Sequence, residues 1–149
     1  PRSTLFPYTT LFRSVAYRFK CSQNNNDGQI LDIVFCPDTS YTSDHLIPFA
    51  LNATYWLLDA GFTREEIDKR YDMFLKNKKG GEIVCHSSPY YSGKLCQAAN
   101  VKNYIIIHYV WTRFAENYAE FPEKITKRAR ITYNGNIIVS LDLKPINLM

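Results

Sequence analysis

Asn134-Gly135, set between residues 128–133 and 136–143, restricts the fold of this chain more than any other short run. Asn-Gly supplies the positive φ that a tight two-residue hairpin turn needs, and alternating apolar flanks then pair across it. In that register Tyr133 faces Asn136, Ile131 faces Ile138 and Arg130 faces Val139. Arg128 and Arg130 share a face with Ile137, Val139 and Leu141, and two guanidiniums on an apolar face call for an anion nearby. Residues 104–111 and 118–121 read as further strands, the second closed by Pro122.

Upstream, residues 15–21 alternate like a strand, Asn24 to Gly28 is a turn, and residues 30–36 form a second strand paired with the first. Ser43 or Asp44 caps an expected helix that Gly61 ends. Its apolar face runs through Leu46, Phe49, Ala50, Ala53, Trp56, Leu57 and Ala60. A second helix starts at Thr63, where Glu66 completes a capping box, and runs to the basic residues 76–79 before Gly80-Gly81. Helices first and an antiparallel sheet after them read as α+β. The expected architecture is one long helix packed on an antiparallel sheet, with an extra short helix.

Residues 4–14 spell the translation of a common sequencing adapter, so residues 1–14 are read as an artefact and residues 15–149 as one domain. Any leader is then expected to have been lost with the true N-terminus. Without Arg2 and Arg13, 16 basic residues face 14 acidic ones, and a net charge of +2 gives no argument for nucleic acid. Hydrophobic residues at 46% suffice for one core. No apolar run reaches the ~20 residues that span a bilayer, so no membrane partner is expected.

Cys21, Cys36, Cys85 and Cys96 are even in number and lack any C-x-x-C spacing. They fit either two disulfides in an oxidising compartment, with three possible connectivities, or four buried thiols. Cys85-His86 has no matching second pair, so neither a metal site nor a cofactor is expected.

Tyr118 and Glu120 fall on one face of the expected strand, with Arg130 on the neighbouring hairpin. Such a carboxylate can take a 2′-hydroxyl proton while the guanidinium steadies the charged phosphorus centre; the same pair can also be an ordinary cross-strand ion pair. The run Tyr118-Ala119-Glu120-Phe121-Pro122, followed by an arginine strand, resembles the fungal guanyl-specific extracellular ribonucleases. Cys36, Tyr41, Ser43 and the amphipathic helix follow that family's order. The resemblance implies Glu120 as general base, Arg130 as phosphate-binding residue, and Tyr118, Arg128 and Arg130 as RNA contacts. The family's catalytic histidine has no counterpart in residues 136–149, which leaves His86 or His108 to stand in as the acid.

A ribonuclease scaffold without its histidines is similar to the secreted ribonuclease-like effectors of plant-pathogenic fungi. The resemblance therefore implies a secreted, monomeric, non-catalytic protein that binds RNA or a host protein. An active guanyl-preferring ribonuclease and an unrelated small α+β interaction module are the alternatives.

Overall fold

The computed structural model describes residues 16–22, 30–39, 44–68, 86–142 and 144–148. The adapter-like residues 1–14, the turn at Asn24 to Gly28, Cys85 and the basic run 76–79 lie outside the described residues. The fold is α+β. Five strands, β1 (Tyr17–Ser22), β2 (Ile30–Cys36), β3 (Tyr55–Asp59), β4 (Asn103–Ile107) and β5 (Asn136–Val139), form one sheet in sequence order. β1 and β2 are antiparallel, as their alternation implies, with Tyr17 opposite Phe35 and Cys21 opposite Leu31. From β2 onward every pairing is parallel. The sheet is therefore mixed, not antiparallel.

Parallel strands need crossovers, and helices supply them. The helical elements are α1 (Ile47–Ala50), preceded by the 3₁₀ turn Asp44–Leu46, then α2 (residues 64–68), α3 (Pro89–Ala98) and α4 (Phe121–Arg130). α3 packs on β3, β4 and α4, and α4 packs on β5. The core lies between this helical layer and the sheet face carrying Val34, Trp56, Leu58, Tyr104 and Ile106, all fully buried.

Two expectations about local structure fail for identifiable reasons. The long helix through Trp56 is instead a short α1 and the strand β3. Tyr55-Trp56-Leu57-Leu58 is an unbroken apolar run, and such runs suit a strand covered on both faces as well as they suit a helix. Asn52 takes φ 58° at the turn between them.

The hairpin around Asn134-Gly135 does not form. Residues 121–130 are helical because Phe121, Ile125 and Ala129 recur every four residues and all are fully buried. Asn134-Gly135 instead connects α4 to β5, which pairs in parallel with β4. Gly135 is required by close approach: a Cβ there would stand 2.2 Å from the Tyr133 hydroxyl oxygen. Tyr133 is fixed in turn by donating that hydroxyl to the Val101 carbonyl at 2.9 Å.

The capping box does form, with Thr63 N–H donating to Glu66 Oε2 at 2.7 Å and Glu66 N–H donating to Thr63 Oγ1 at 3.2 Å. Among the described residues no disulfide forms: Cys21, Cys36 and Cys96 are free thiols. Burial pushes the Cys36 pKa up to about 11, against the Trp56 indole N–H that donates to its sulfur, and raises that of Cys96 as well. Among the described residues no helix is long and apolar enough to cross a membrane.

Candidate metal centre

β2, β3 and β4 run parallel, so their carboxyl ends emerge together along one edge of the sheet. Side chains placed there converge, which is why open sheets with parallel strands bind ligands at that edge. Asp38 follows β2 by two residues, Asp59 is the last residue of β3, and His108 directly follows β4. His86 comes from the segment before α3. One ligand atom from each of these four residues lies within 4.8 Å of the others.

Asp59 organises the group. It is fully buried, and its Oδ1 accepts the Gly61 N–H at 2.8 Å and the Ser87 N–H at 3.1 Å. Its backbone carbonyl accepts the Ser92 hydroxyl of α3 at 2.7 Å. Oδ2 is left for the imidazoles, 2.7 Å from His86 Nδ1 and 3.0 Å from His108 Nδ1. Asp38 Oδ1 stands 3.2 and 3.3 Å from the same two nitrogens. Burial raises the Asp59 pKa; the His86 ring and the two backbone N–H donors oppose that rise without cancelling it.

Both rings are held in place. A Cβ on Gly61 would come within 3.1 Å of His86 Cγ, so the glycine lets the chain pass against the ring. Phe62 packs against the His86 ring at 5.3 Å between centroids. His108 has φ 50°, a left-handed conformation in which histidine is enriched among non-glycine residues. That turn brings its Nδ1 to Asp59 and to the Pro37 carbonyl, 2.8 Å away.

Two imidazoles and two carboxylates are a donor set suited to zinc and similar divalent transition metals. Ligands bound to a tetrahedral ion at roughly 2.0–2.1 Å stand about 3.3 Å from one another. The imidazole–carboxylate separations of 2.7–3.3 Å approach that spacing, so the residues present fit a metal ion. Ligation through Nδ1 requires each ring as the Nε2–H tautomer, so an ion would take the place of the Nδ1 protons that Asp59 and the Pro37 carbonyl accept without it.

The structure places the residues expected to act on RNA elsewhere. Glu120 is exposed before α4, held by Asn117 Nδ2 at 2.6 Å and Lys124 Nζ at 2.5 Å. Arg130 lies in the last turn of the same helix and donates to the carbonyls of Tyr133 and Gly135. The ten residues of α4 separate the two, about 15 Å along a helix axis. Arg128 reaches Glu65 at 3.5 Å and covers the Phe114 ring. Tyr118 is exposed against Trp111. His86 belongs to the four-residue group, whereas its partners Asp38, Asp59 and His108 stand 20 residues or more apart in sequence and form no Cys/His pair at short spacing. The signal in the sequence is positional: Asp38, Asp59 and His108 each lie at, or within two residues of, the carboxyl end of a largely apolar strand.

No family model matches the chain, and no curated protein matches it. Among solved structures, the metallo-beta-lactamase fold protein YhfI from Bacillus subtilis superposes with a TM-score of 0.60 at 14% identity, over 93% of this chain. The match covers 46% of YhfI, so this chain spans about half the length of that structure. Long-form RNase Z from yeast superposes at TM-score 0.48 with 12% identity, over 72% of this chain and 13% of that one. The short form of human tRNase Z gives TM-score 0.47 and 15% identity, over 97% and 46%.

The fold likeness is thus to a metallo-beta-lactamase fold and not to the guanyl-specific ribonucleases, which overturns the resemblance read from Tyr118 to Pro122. With it falls the reading of a non-catalytic fungal effector on a ribonuclease scaffold, and with the free thiols falls its disulfide framework.

Proposed function

We propose that this chain carries the metal centre of a metal-dependent hydrolase, with Asp38, Asp59, His86 and His108 as the residues that hold a divalent ion such as zinc. One observation carries the reading. Donors from three neighbouring parallel strands and from the segment before α3 converge at spacings close to those around one ion. The likeness to a metallo-beta-lactamase fold protein supports it at the level of fold.

A divalent ion in this position supplies Lewis acidity toward a carbonyl or phosphoryl oxygen. The chain's own residues provide the arrangement. The Gly61 and Ser87 N–H groups fix Asp59 so that Oδ2 faces both rings. Gly61 and Phe62 fix the plane of His86, and the left-handed turn at His108 fixes the second ring. Sheet and helical layer exclude water from the Asp59 side, while His108 and Asp38 remain half exposed, so a substrate approaches from theirs.

The test is a zinc-dependent hydrolysis assay on chelator-stripped full-length chain, using p-nitrophenyl esters, a p-nitrophenyl phosphodiester and a chromogenic lactam. Restored hydrolysis of at least one class, lost in His108→Ala, is the expected result. Failure on all three with zinc bound removes the hydrolase assignment.

A further inference from the structure

Beside His108 the chain forms a cleft of about 190 Å³ lined by His108, Tyr109, Trp111, Tyr118, Ser140 and Asp142. Three of the six are aromatic, and none is Lys or Arg. Trp111 and Tyr118 stand edge to face, 5.8 Å between centroids, and Tyr118 stacks on Phe121 at 6.2 Å. The aromatic wall is thereby anchored to the core through the fully buried Phe121.

The polar groups of the cleft have a definite bias. The Tyr109 hydroxyl donates to the Ser140 carbonyl, and the Ser140 hydroxyl donates to the Ile106 carbonyl at 2.8 Å. Each hydroxyl has spent its one proton, so both can meet a ligand only as acceptors. Asp142 adds a carboxylate. Acceptors and ring faces without a cation complement a donor-rich positive group carried on an apolar body. They oppose a phosphate. The volume suits a single ring with a short chain, since a cavity of roughly 150 Å³ accommodates benzene.

We infer that this cleft is a subsite for an arylalkyl ammonium group, held between the Trp111–Tyr118 wall and Asp142. Its role in placing a substrate rests on the reading of Asp38, Asp59, His86 and His108 as the metal centre. His108 belongs to both, so a group seated in the cleft holds the adjoining bond of its molecule beside that centre. The substrate class is then an aromatic amine derivative whose scissile bond lies a few atoms from the ammonium.

The test is an NMR titration of the isotope-labelled full-length chain, with and without zinc, using phenethylammonium, its neutral isostere 2-phenylethanol, and phenyl phosphate. Phenethylammonium is expected to bind about fivefold more tightly than the alcohol, shifting the Trp111 indole signal, with phenyl phosphate weakest. Asp142→Asn should erase the preference for the ammonium while leaving the alcohol unchanged, and Tyr118→Ala should weaken both. Both positions are exposed, so neither variant threatens the fold. Equal binding of ammonium and alcohol, or tighter binding of the phosphate, overturns the subsite. If the preference appears but zinc leaves the imidazole signals of His86 and His108 unmoved, the subsite stands and the metal centre fails. If zinc moves them and no preference appears, the metal centre stands and the subsite fails.

Discussion

His86 and His108 meet edge to face, with ring centroids 4.8 Å apart and planes 79° from parallel. They come from different elements and share no motif, yet both present Nδ1 to the same oxygen of Asp59. The parallel register of β3 and β4 produces this meeting: Asp59 pairs with Ile107, so the residue after β4 lands beside the last residue of β3. A one-residue slip would turn His108 to the opposite face of the sheet.

Because the His86 ring lies against Gly61, Gly61→Ala should displace it. Zinc affinity, measured by competition with a chromogenic chelator, should fall about tenfold, as changes to the supports of metal ligands commonly do. The far-UV spectrum should stay unchanged. Unaltered affinity would show that the ring's seat is unimportant for binding.

The helical reading of residues 121–130 carries its own consequence. Ile125 is fully buried on α4, so Ile125→Ala should cost about 2–5 kcal/mol in urea unfolding. Glu123→Ala, on the exposed face, should leave the midpoint nearly where it was. Similar costs for the two variants would contradict the buried helical face.

Arg18 holds Asp32 through Nε at 2.8 Å and Nη2 at 2.5 Å, and also donates to the Phe49 and Leu51 carbonyls. Burial alone would raise the Asp32 pKa, but the hydrogen bonds and charges of Arg18 and Lys20 bring it below the usual carboxylate range. A carboxylate with a depressed folded pKa contributes stability above its unfolded value, near ~3.9, and loses it as pH falls through the folded one. Asp32→Asn should therefore cost about 1–3 kcal/mol at pH 7, with the gap from wild type narrowing as the solution is acidified below pH 4. A gap that stays constant down to acid pH would contradict the ion pair's role.

Thiol reactivity should divide by burial. Cys21 is exposed on β1, whereas Cys36 and Cys96 are buried with raised pKa values. Alkylation followed by peptide mass mapping should label Cys21 in the folded chain, and Cys36 and Cys96 only after denaturation. Rapid labelling of Cys96 in the folded protein would contradict the packing of α3 on the sheet.

What the sequence reveals depends on how local the determining physics is. The β1–β2 pair and the capping box at Thr63 are written in neighbouring residues, and both form. Asn134-Gly135 is an equally local signal, but the stripe Phe121, Ile125, Ala129 outweighs it, because burying that stripe fixes a helix up to the turn. Trp56 and Leu57 fit a helical face and a buried strand alike, and only the parallel neighbours on either side decide. Asp38, Asp59, His86 and His108 become neighbours only once the sheet has assembled, so no short motif could announce them. Glu120 and Arg130 are the converse, close in a hypothetical hairpin and separated by the helix that forms in its place.

The metal centre itself is tested by calorimetric titration of zinc into the chelator-stripped full-length chain, alongside Asp59→Asn and His108→Ala. One equivalent should bind with Kd at or below about 1 μM, and each variant should lose about a hundredfold or more. No heat of binding, or the same affinity in all three proteins, would contradict the centre.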